Sequence, residues 1–170
     1  AVAYRRLLLK SSRVQQNTSR NCDTFIEHLA ELRDAEGKAG TQHGRQIKEA
    51  ALLLGRYLEL PTDELEDLGY AALLHDIGKI GIPTEILLKP DTLSPAEYEI
   101  MKAHAENGSR WLRDGPLAGR VADMVRWHQE RYDGTGYPDG LQGDQICLGA
   151  RILAVVDAYD AMRSKRAYRN

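Results

Sequence analysis

The sequence is poor in cysteine, and this scarcity excludes two kinds of site. It contains only Cys22 and Cys147 among its 170 residues. Neither thiol has a second one at the close spacing of a thiolate metal site, and two isolated cysteines do not make a disulfide framework. A reducing compartment fits this composition best, so we expect the protein to be cytoplasmic.

Long apolar runs, excess charge and strand-like patterns are also missing. No apolar stretch approaches the roughly 18 residues that cross a membrane, and the start of the chain has no signal-peptide pattern. The 23 basic and 25 acidic residues leave a formal net charge of −2, without the basic excess of nucleic-acid-binding proteins. We therefore expect no membrane span and no DNA partner. Alternation of apolar and polar residues is scarce, which argues against a sheet.

Apolar residues instead recur at helical spacing, and this pattern predicts an all-α fold. The predicted helices cover roughly residues 25–32, 47–58, 62–78, 94–107, a short stretch around 111–112, 117–125 and 148–162. Ser94-Pro95-Ala96-Glu97 has the pattern of a capping box with proline at the first helical position. We expect the helix that it opens to break near Asn107-Gly108. Residues 131–147 are rich in glycine and predict a loop.

The chain divides into a short N-terminal segment and one globular domain. Residues 1–22 carry five basic residues and no acidic one. We interpret them as a helix or linker from an upstream sensory or receiver domain. The leucines at positions 7–9 could instead pair helices in a homodimer, and a terminal segment without a role fits equally well. Residues 23–170 form the predicted domain, long enough to bury a core.

Histidine and aspartate side chains lie on the apolar faces of five predicted helices. His43 precedes Ile47 by four residues, and His104 follows Ile100 by four. The same argument from helical phase applies to the whole set, which is His43, His75, Asp76, His104, His128 and Asp157. His28 also falls near an apolar stripe, but nothing in the pattern pairs with it, and we interpret it as structural.

A metal centre explains this inward-facing set better than scattered core histidines do. An unpaired buried carboxylate is costly, so an inward aspartate needs a cation or must change its protonation state. Imidazole and carboxylate donors without sulfur suit Fe, Mn or Zn. The set offers more donors than one ion needs, which favours two ions. Paired ions are a recurring arrangement for hydrolysis of phosphoesters.

Three strings make the chain similar to the HD-GYP family of metal-dependent phosphohydrolases. They run from His75 to Pro83, from Glu130 to Gly140 and from Ala150 to Ala161, and they include His75-Asp76 and Gly136-Tyr137-Pro138. The resemblance covers about residues 23–169. It implies a helical bundle of the HD superfamily with about six to seven helices and a long loop containing the GYP tripeptide, shortened at the C-terminus.

The resemblance also implies roles for individual residues. One ion would be held by His43, His75, Asp76 and Asp157, and a second by Asp76, His104 and His128, with Asp76 as the bridge. The cofactors would be two divalent ions, with Fe or Mn favoured. Asp76 and Lys79 would be catalytic, with Lys79 neutralising a phosphate oxygen. The residues implied to contact the substrate are Lys79, Gly136, Tyr137, Arg166 and Arg169.

The chain departs from the family pattern at three places. Gln129 stands where the family usually has a second histidine, and an amide oxygen is a poor ligand beside imidazole. Ala39 stands where some members have a glutamate that helps to bind a third ion, so we do not expect a trinuclear centre. Lys165 and Ala167 replace the aspartate and proline that are common near the last arginines.

Three functions follow from this pattern. The first is a cyclic di-GMP phosphodiesterase of bacterial second-messenger signalling, yielding linear pGpG, GMP or both. Nothing in the residues distinguishes guanine from adenine, so a mixed cyclic dinucleotide is a further candidate substrate. The second is a weak or inactive domain that senses a cyclic dinucleotide or binds a protein such as a GGDEF-type partner. The third, a nucleotide phosphohydrolase of the wider HD superfamily, is disfavoured by the GYP loop.

Overall fold

The computed structural model describes residues 40–114 and 117–163, and regular structure in these ranges is helical apart from one isolated β-bridge between Asp133 and Gln142. The α-helices are α1 (Gly40–Tyr57), α2 (Thr62–Leu74), α3 (Thr84–Leu87), α4 (Pro95–Arg113), α5 (Arg120–Trp127) and α6 (Leu148–Arg163). Two 3-10 turns cover Ile77–Gly81 and Gly143–Gln145. The predicted all-α fold is confirmed.

The core lies where α1, α2, α4, α5 and α6 bury their apolar faces against one another. Helix α1 packs against α2 and α6, while α4 packs against α5 and the first 3-10 turn. Fully buried members of the core include Ile47, Leu68, Leu74, Leu112, Val125 and Leu153. Burial of such side chains is the main favourable contribution to folding. The same packing brings helices from both ends of the described chain side by side.

The predicted break in the fourth helix is wrong. Helix α4 continues through Asn107 and Gly108 to Arg113. A Cβ atom on Gly78 would collide with the backbone of α4 at the carbonyl of His104, and a Cβ on Gly108 would lie 3.2 Å from the Gly78 nitrogen. Glycine at both positions therefore allows the 3-10 turn to lie directly on an unbroken helix. Packing of the turn offsets the low helix propensity of Gly108, which destabilises a helix by about 1 kcal/mol relative to alanine.

Other boundaries differ by smaller amounts. Helix α2 ends at Leu74 rather than Gly78, because the chain turns through His75 and Asp76 into the first 3-10 turn. This corner holds the two residues on a short, rigid connection between helices. The short helix α3 was not predicted.

The capping box that opens α4 is confirmed. Ser94 accepts a hydrogen bond from the Glu97 backbone N–H at 3.3 Å, and its own N–H donates to the Glu97 carboxylate at 2.7 Å. Hydrogen bonds from Ser94 and from Lys89 lower the pKa of Glu97 to about 2, with the Lys89 contribution the largest. Helix α4 therefore starts at a well-defined point, which sets the position of His104 further along it.

Several predictions fall on residues outside the described ranges. These are the helix over residues 25–32, the N-terminal segment 1–22 and the arginines Arg166 and Arg169. The division of the chain after residue 22 stays a prediction. Among the residues that the structure does describe, no helix has the length and apolar character needed to span a membrane.

Candidate metal centre

The fold gathers all six inward-facing donors into two neighbouring clusters. The outer cluster consists of His43, His75 and Asp157, and the inner cluster of Asp76, His104 and His128. Within each cluster the potential ligand atoms lie within 4.8 Å of one another. The six side chains come from α1, the corner after α2, α4, the end of α5 and α6.

Asp76 connects the two clusters. One carboxylate oxygen, Oδ1, lies 3.8 Å from His104 Nε2 in the inner cluster. The other, Oδ2, lies 3.5 Å from His75 Nε2 in the outer cluster. A carboxylate with one oxygen towards each cluster has the arrangement of a bridging ligand. Its role as a ligand stays a prediction.

The imidazoles of His75, His104 and His128 are held in the same way. Each Nδ1 donates to the backbone carbonyl three residues earlier, at 2.8 Å. This bond fixes the tautomer and leaves a lone pair on Nε2, as is usual for histidine ligands of metals. His104 Nε2 and His128 Nε2 lie 3.3 Å apart, so two electron-pair donors face one point.

A buried atom without a partner supports the fit of a metal ion. His75 Nε2 is buried and has no hydrogen-bond partner. Leaving a buried acceptor unsatisfied costs about 1–3 kcal/mol, and native proteins rarely do so without a reason. The tautomer leaves this nitrogen with a lone pair, and Asp76 Oδ2 lies 3.5 Å away. A cation beside both atoms would therefore give the nitrogen a partner.

Electrostatics keep the inner donors in the protonation states that a metal needs. Burial lowers the pKa of His104, and burial with the neighbouring His75 and His104 lowers the pKa of His128 to about 3. These imidazoles are therefore neutral at physiological pH. Burial alone would raise the pKa of Asp76, but the Lys79 ammonium and nearby imidazoles outweigh it and hold this pKa well below its ordinary value. Asp76 is therefore a carboxylate.

Lys79 lies beside the centre rather than within either cluster. Its ammonium contacts Asp76 Oδ2 at 2.7 Å, and its side chain is about one-third exposed. The ammonium is thus held near the bridging carboxylate and can still be reached from solvent.

Behind the outer cluster lies Asp160, a residue to which the sequence analysis gave no role. His43 Nε2 lies 3.9 Å from Asp157, while its Nδ1 contacts the carboxylate of Asp160 at 3.0 Å. A carboxylate behind a histidine orients the ring and raises its basicity as a ligand. The signal was available, because Asp160 follows Asp157 by three residues and lies on the same face of α6.

Tyr137 of the GYP loop lies against the inner cluster. Its ring is 6.3 Å from the His104 ring, centroid to centroid. Burial, the neighbouring Tyr98 and the carboxylates Asp76 and Asp157 raise the pKa of Tyr137, so its hydroxyl remains protonated. The neighbouring Gly136 lies so close to the backbone of Glu130 and Arg131 that a Cβ atom there would collide with it. Glycine is therefore required where the loop folds back.

A second missed residue, Glu130, holds this loop in place. Its carboxylate is buried and accepts backbone N–H groups from Asp139 at 2.6 Å, Gly140 at 3.0 Å and Leu141 at 3.1 Å. Hydrogen bonds to an ionised acceptor are among the stronger ones in proteins. The available signal was an acidic residue between a helix end and a glycine-rich loop.

The far side of the same loop is fixed by Asp139. Its carboxylate accepts two hydrogen bonds from Arg126 at 2.7 Å and one from the indole of Trp127 at 2.8 Å. The loop is therefore attached at several points to the end of α5, the element that leads to His128.

Gln129 contributes to the loop through its backbone. Its carbonyl accepts a hydrogen bond from the Tyr137 N–H at 3.3 Å. The inner cluster offers one carboxylate and two imidazoles from the described His, Cys, Asp and Glu residues. The prediction that Gln129 leaves the second ion one donor short stays a prediction.

Comparison with known proteins places these features in context. The sequence model of a family described as an HD domain matches residues 14–170. The cyclic di-GMP phosphodiesterase PA4108 of Pseudomonas aeruginosa is 44% identical over 128 residues, which cover 75% of this chain and 31% of that protein. A cyclic di-GMP phosphodiesterase of Thermotoga maritima is 42% identical over 151 residues, covering 86% of this chain and 39% of that protein.

A solved structure is also similar. Bd1817, described as an HDG"Y"P protein from Bdellovibrio bacteriovorus, has a TM-score of 0.63 and 25% sequence identity. The match covers 74% of this chain and 42% of that one. The chain therefore spans less than half the length of each of these relatives.

Proposed function

We propose that this chain, which belongs to the HD domain family, is the catalytic part of a metal-dependent phosphodiesterase that hydrolyses cyclic di-GMP. The resemblance to the HD-GYP family is confirmed by its curated relatives and its solved neighbour. The observation that carries the proposal is the pair of donor clusters connected by Asp76, with Tyr137 of the GYP loop against one of them.

The residues present fit a pair of divalent ions. The proposed ligands of one ion are His43, His75, Asp76 and Asp157, and those of the other are Asp76, His104 and His128. Imidazole and carboxylate donors without sulfur favour Fe or Mn. When bound, such ions supply activated water near neutral pH and neutralise charge on the phosphate oxygens.

The remaining side chains bind and orient the substrate in this proposal. Lys79 places a positive charge on a non-bridging phosphate oxygen, as transition-state stabilisation requires. Tyr137, whose hydroxyl stays protonated, donates a hydrogen bond to the substrate, and the backbone at Gly136 lines the cleft. Arg166 and Arg169, outside the described residues, are proposed to clamp phosphates.

The proposed reaction is addition of water to phosphorus with departure of the 3′ oxygen. The cyclic dinucleotide opens to linear pGpG, and a second round would yield GMP. A mixed cyclic dinucleotide is a second candidate substrate, because no described residue selects guanine over adenine. The chain covers only part of the length of its relatives. We also propose that it works with an upstream sensory or receiver domain, and that it pairs as a homodimer or binds a GGDEF-type partner. The proposed location is the cytoplasm.

Metal analysis coupled to a hydrolysis assay tests this function. The protein is purified under reducing conditions, its Fe, Mn and Zn contents per chain are measured, and products are separated by chromatography. We expect bound metal and turnover of cyclic di-GMP. Turnover of mononucleotides without turnover of cyclic dinucleotides would instead indicate a nucleotide phosphohydrolase.

Gln129 favours one alternative, a domain that binds cyclic dinucleotide or a partner protein without turnover. If the protein holds a single ion and cleaves nothing, this alternative replaces the enzyme. Gln129→His then tests the cause, because a histidine there would add an imidazole donor. Restored hydrolysis with a second bound ion would show that Gln129 is the cause of the lost activity. An unchanged metal content would show that it is not.

A further inference from the structure

An aromatic and cationic surface extends from the inner cluster along helix α4. The Tyr98 ring stands nearly perpendicular to that of Tyr137, with centroids 6.4 Å apart. Tyr137 in turn lies 6.3 Å from His104. The surface therefore begins at the proposed metal ligands and leads outward.

Lys102 adds a positive charge to this surface. Its ammonium lies 5.1 Å from the centroid of Tyr98 and 5.7 Å from that of Tyr137, within the range of cation–π attraction. Tyr98 and Lys102 are four residues apart on α4 and so share one face of the helix. Two side chains of α4 and one of the GYP loop thus form one wall.

The members of this wall remain available to a ligand. Tyr98 is 46% exposed. Lys102 is 29% exposed and forms an ion pair with Glu99 at 2.6 Å. Glu99 is 69% exposed, and ion pairs that reach solvent contribute little. The ammonium can therefore exchange Glu99 for another anion at small cost.

We propose that Tyr98 and Lys102, together with Tyr137, form a subsite for the half of a cyclic dinucleotide that lies away from the scissile phosphate. This inference rests on the proposed function. The substrate ring carries two phosphates and two bases, and the donor clusters with Lys79 account for one phosphate. Lys102 takes the second phosphate, and the exposed ring of Tyr98 stacks on a base, an interaction common to all bases.

A comparison of two substrates separates this subsite from the metal centre. Bis(p-nitrophenyl) phosphate has a scissile phosphodiester but no second phosphate and no base. We expect Lys102→Gln and Tyr98→Leu to raise the Kd and KM for cyclic di-GMP at least about 5-fold. Their kcat and their hydrolysis of the small diester should stay within about 2-fold of the unmodified chain, since the metal centre is untouched.

Matched variants sharpen the test by calorimetry on the metal-loaded chain. Tyr98→Phe keeps the ring and should bind nearly as well as the unmodified chain. Arg110→Gln removes a cation eight residues further along α4, about 12 Å away along its axis, and should change nothing. Glu99→Gln removes the carboxylate that pairs with Lys102 and should lower the Kd for cyclic di-GMP about 2-fold. A variant that merely damaged the fold would raise this Kd instead.

Two results would overturn the subsite, and they differ from failure of the function. If the unmodified chain binds cyclic di-GMP but Lys102→Gln and Tyr98→Leu leave its Kd unchanged, the subsite is wrong and the function stands. The subsite is also wrong if the two substitutions slow hydrolysis of cyclic di-GMP and of the small diester by the same factor. If the unmodified chain neither binds nor cleaves cyclic di-GMP yet hydrolyses the small diester, the proposed function fails and the subsite fails with it.

Discussion

The outer and inner donor clusters differ in how they are shielded from water. In the outer cluster, His43 and Asp157 are 26% and 24% exposed, and the ring of His43 is backed by a carboxylate. In the inner cluster, His104 and His128 are 3% and 1% exposed, and their rings are held by backbone carbonyls. His75, the third donor of the outer cluster, is 1% exposed and is held by a backbone carbonyl like the inner imidazoles. The two clusters therefore differ at His43 and Asp157, which remain in contact with solvent.

This difference predicts different responses to mutation. Water can occupy a lost ligand position in a half-open cluster but not in a closed one, where a buried donor left alone remains unsatisfied. We therefore expect the outer cluster to weaken gradually and the inner cluster to fail outright. Asp76 lies near imidazoles of both clusters, so its loss should affect the two clusters alike.

The largest effect is expected from Asp76→Asn. An amide in place of the carboxylate removes the charge that connects the clusters, so both ions should be lost and hydrolysis should fall on the order of 1000-fold or more. Metal content per chain and initial rates measure this. Asp144→Asn, at an exposed aspartate paired with Arg151, is the matched control. Retention of both ions in Asp76→Asn would show that it does not bridge them.

A direct comparison of His128→Gln with His43→Gln comes next. We expect the inner variant to lose one ion per chain, because no water can replace the imidazole. The outer variant should keep its ion with weaker affinity. Competition with a graded series of chelators, read by metal content, distinguishes the two. Equal losses in the two variants would contradict the difference between closed and half-open clusters.

Asp160→Asn should produce a smaller effect confined to the outer cluster. The amide oxygen can still accept from His43 Nδ1, but the charge that makes the ring a better donor is lost. Partners of this kind contribute about 10–100-fold to metal affinity, and we expect the lower end of that range. The inner ion, titrated in the same sample, serves as the internal reference. A drop in the affinity of both ions would show that Asp160 acts on the whole fold.

Glu130→Gln should leave both clusters loaded and affect the loop. An amide in place of the carboxylate weakens three hydrogen bonds and brings one N–H group against another, at a cost of about 1–3 kcal/mol. The melting temperature should fall by roughly 2–10 °C, and the KM for the substrate should rise.

Glu106→Gln, at an exposed glutamate 3.6 Å from Arg126, is the control for Glu130→Gln. Loss of metal in Glu130→Gln would mean that the loop and the clusters are not separable.

Local features could be read from the sequence because they depend on neighbours along the chain. The capping box at Ser94 and the start of α6 at Leu148 are of this kind, and both match the structure. The continuity of α4 could not be read in this way. Glycine at position 108 usually weakens a helix, and only the 3-10 turn packed against it explains why the helix continues there.

The two missed carboxylates show the same limit. Asp160 and Glu130 lie within strings that carry the family resemblance, but neither was given a role, because most charged residues are solvated. Their importance comes from the atoms they meet, which are a histidine 117 residues away in one case and three N–H groups of a folded loop in the other.

The sequence by itself determined the helical periodicity and indicated six candidate donors, because the spacing from apolar residues indicates which side chains turn towards the core. Periodicity left open which donors lie together; the resemblance implied a grouping, and only the tertiary structure brings the side chains into contact. His43 and Asp157 meet because α1 packs against α6, and His104 and His128 meet because α4 packs against α5. Such pairings depend on burial of apolar faces that are distant along the chain, and periodicity within one helix contains no information about its partner.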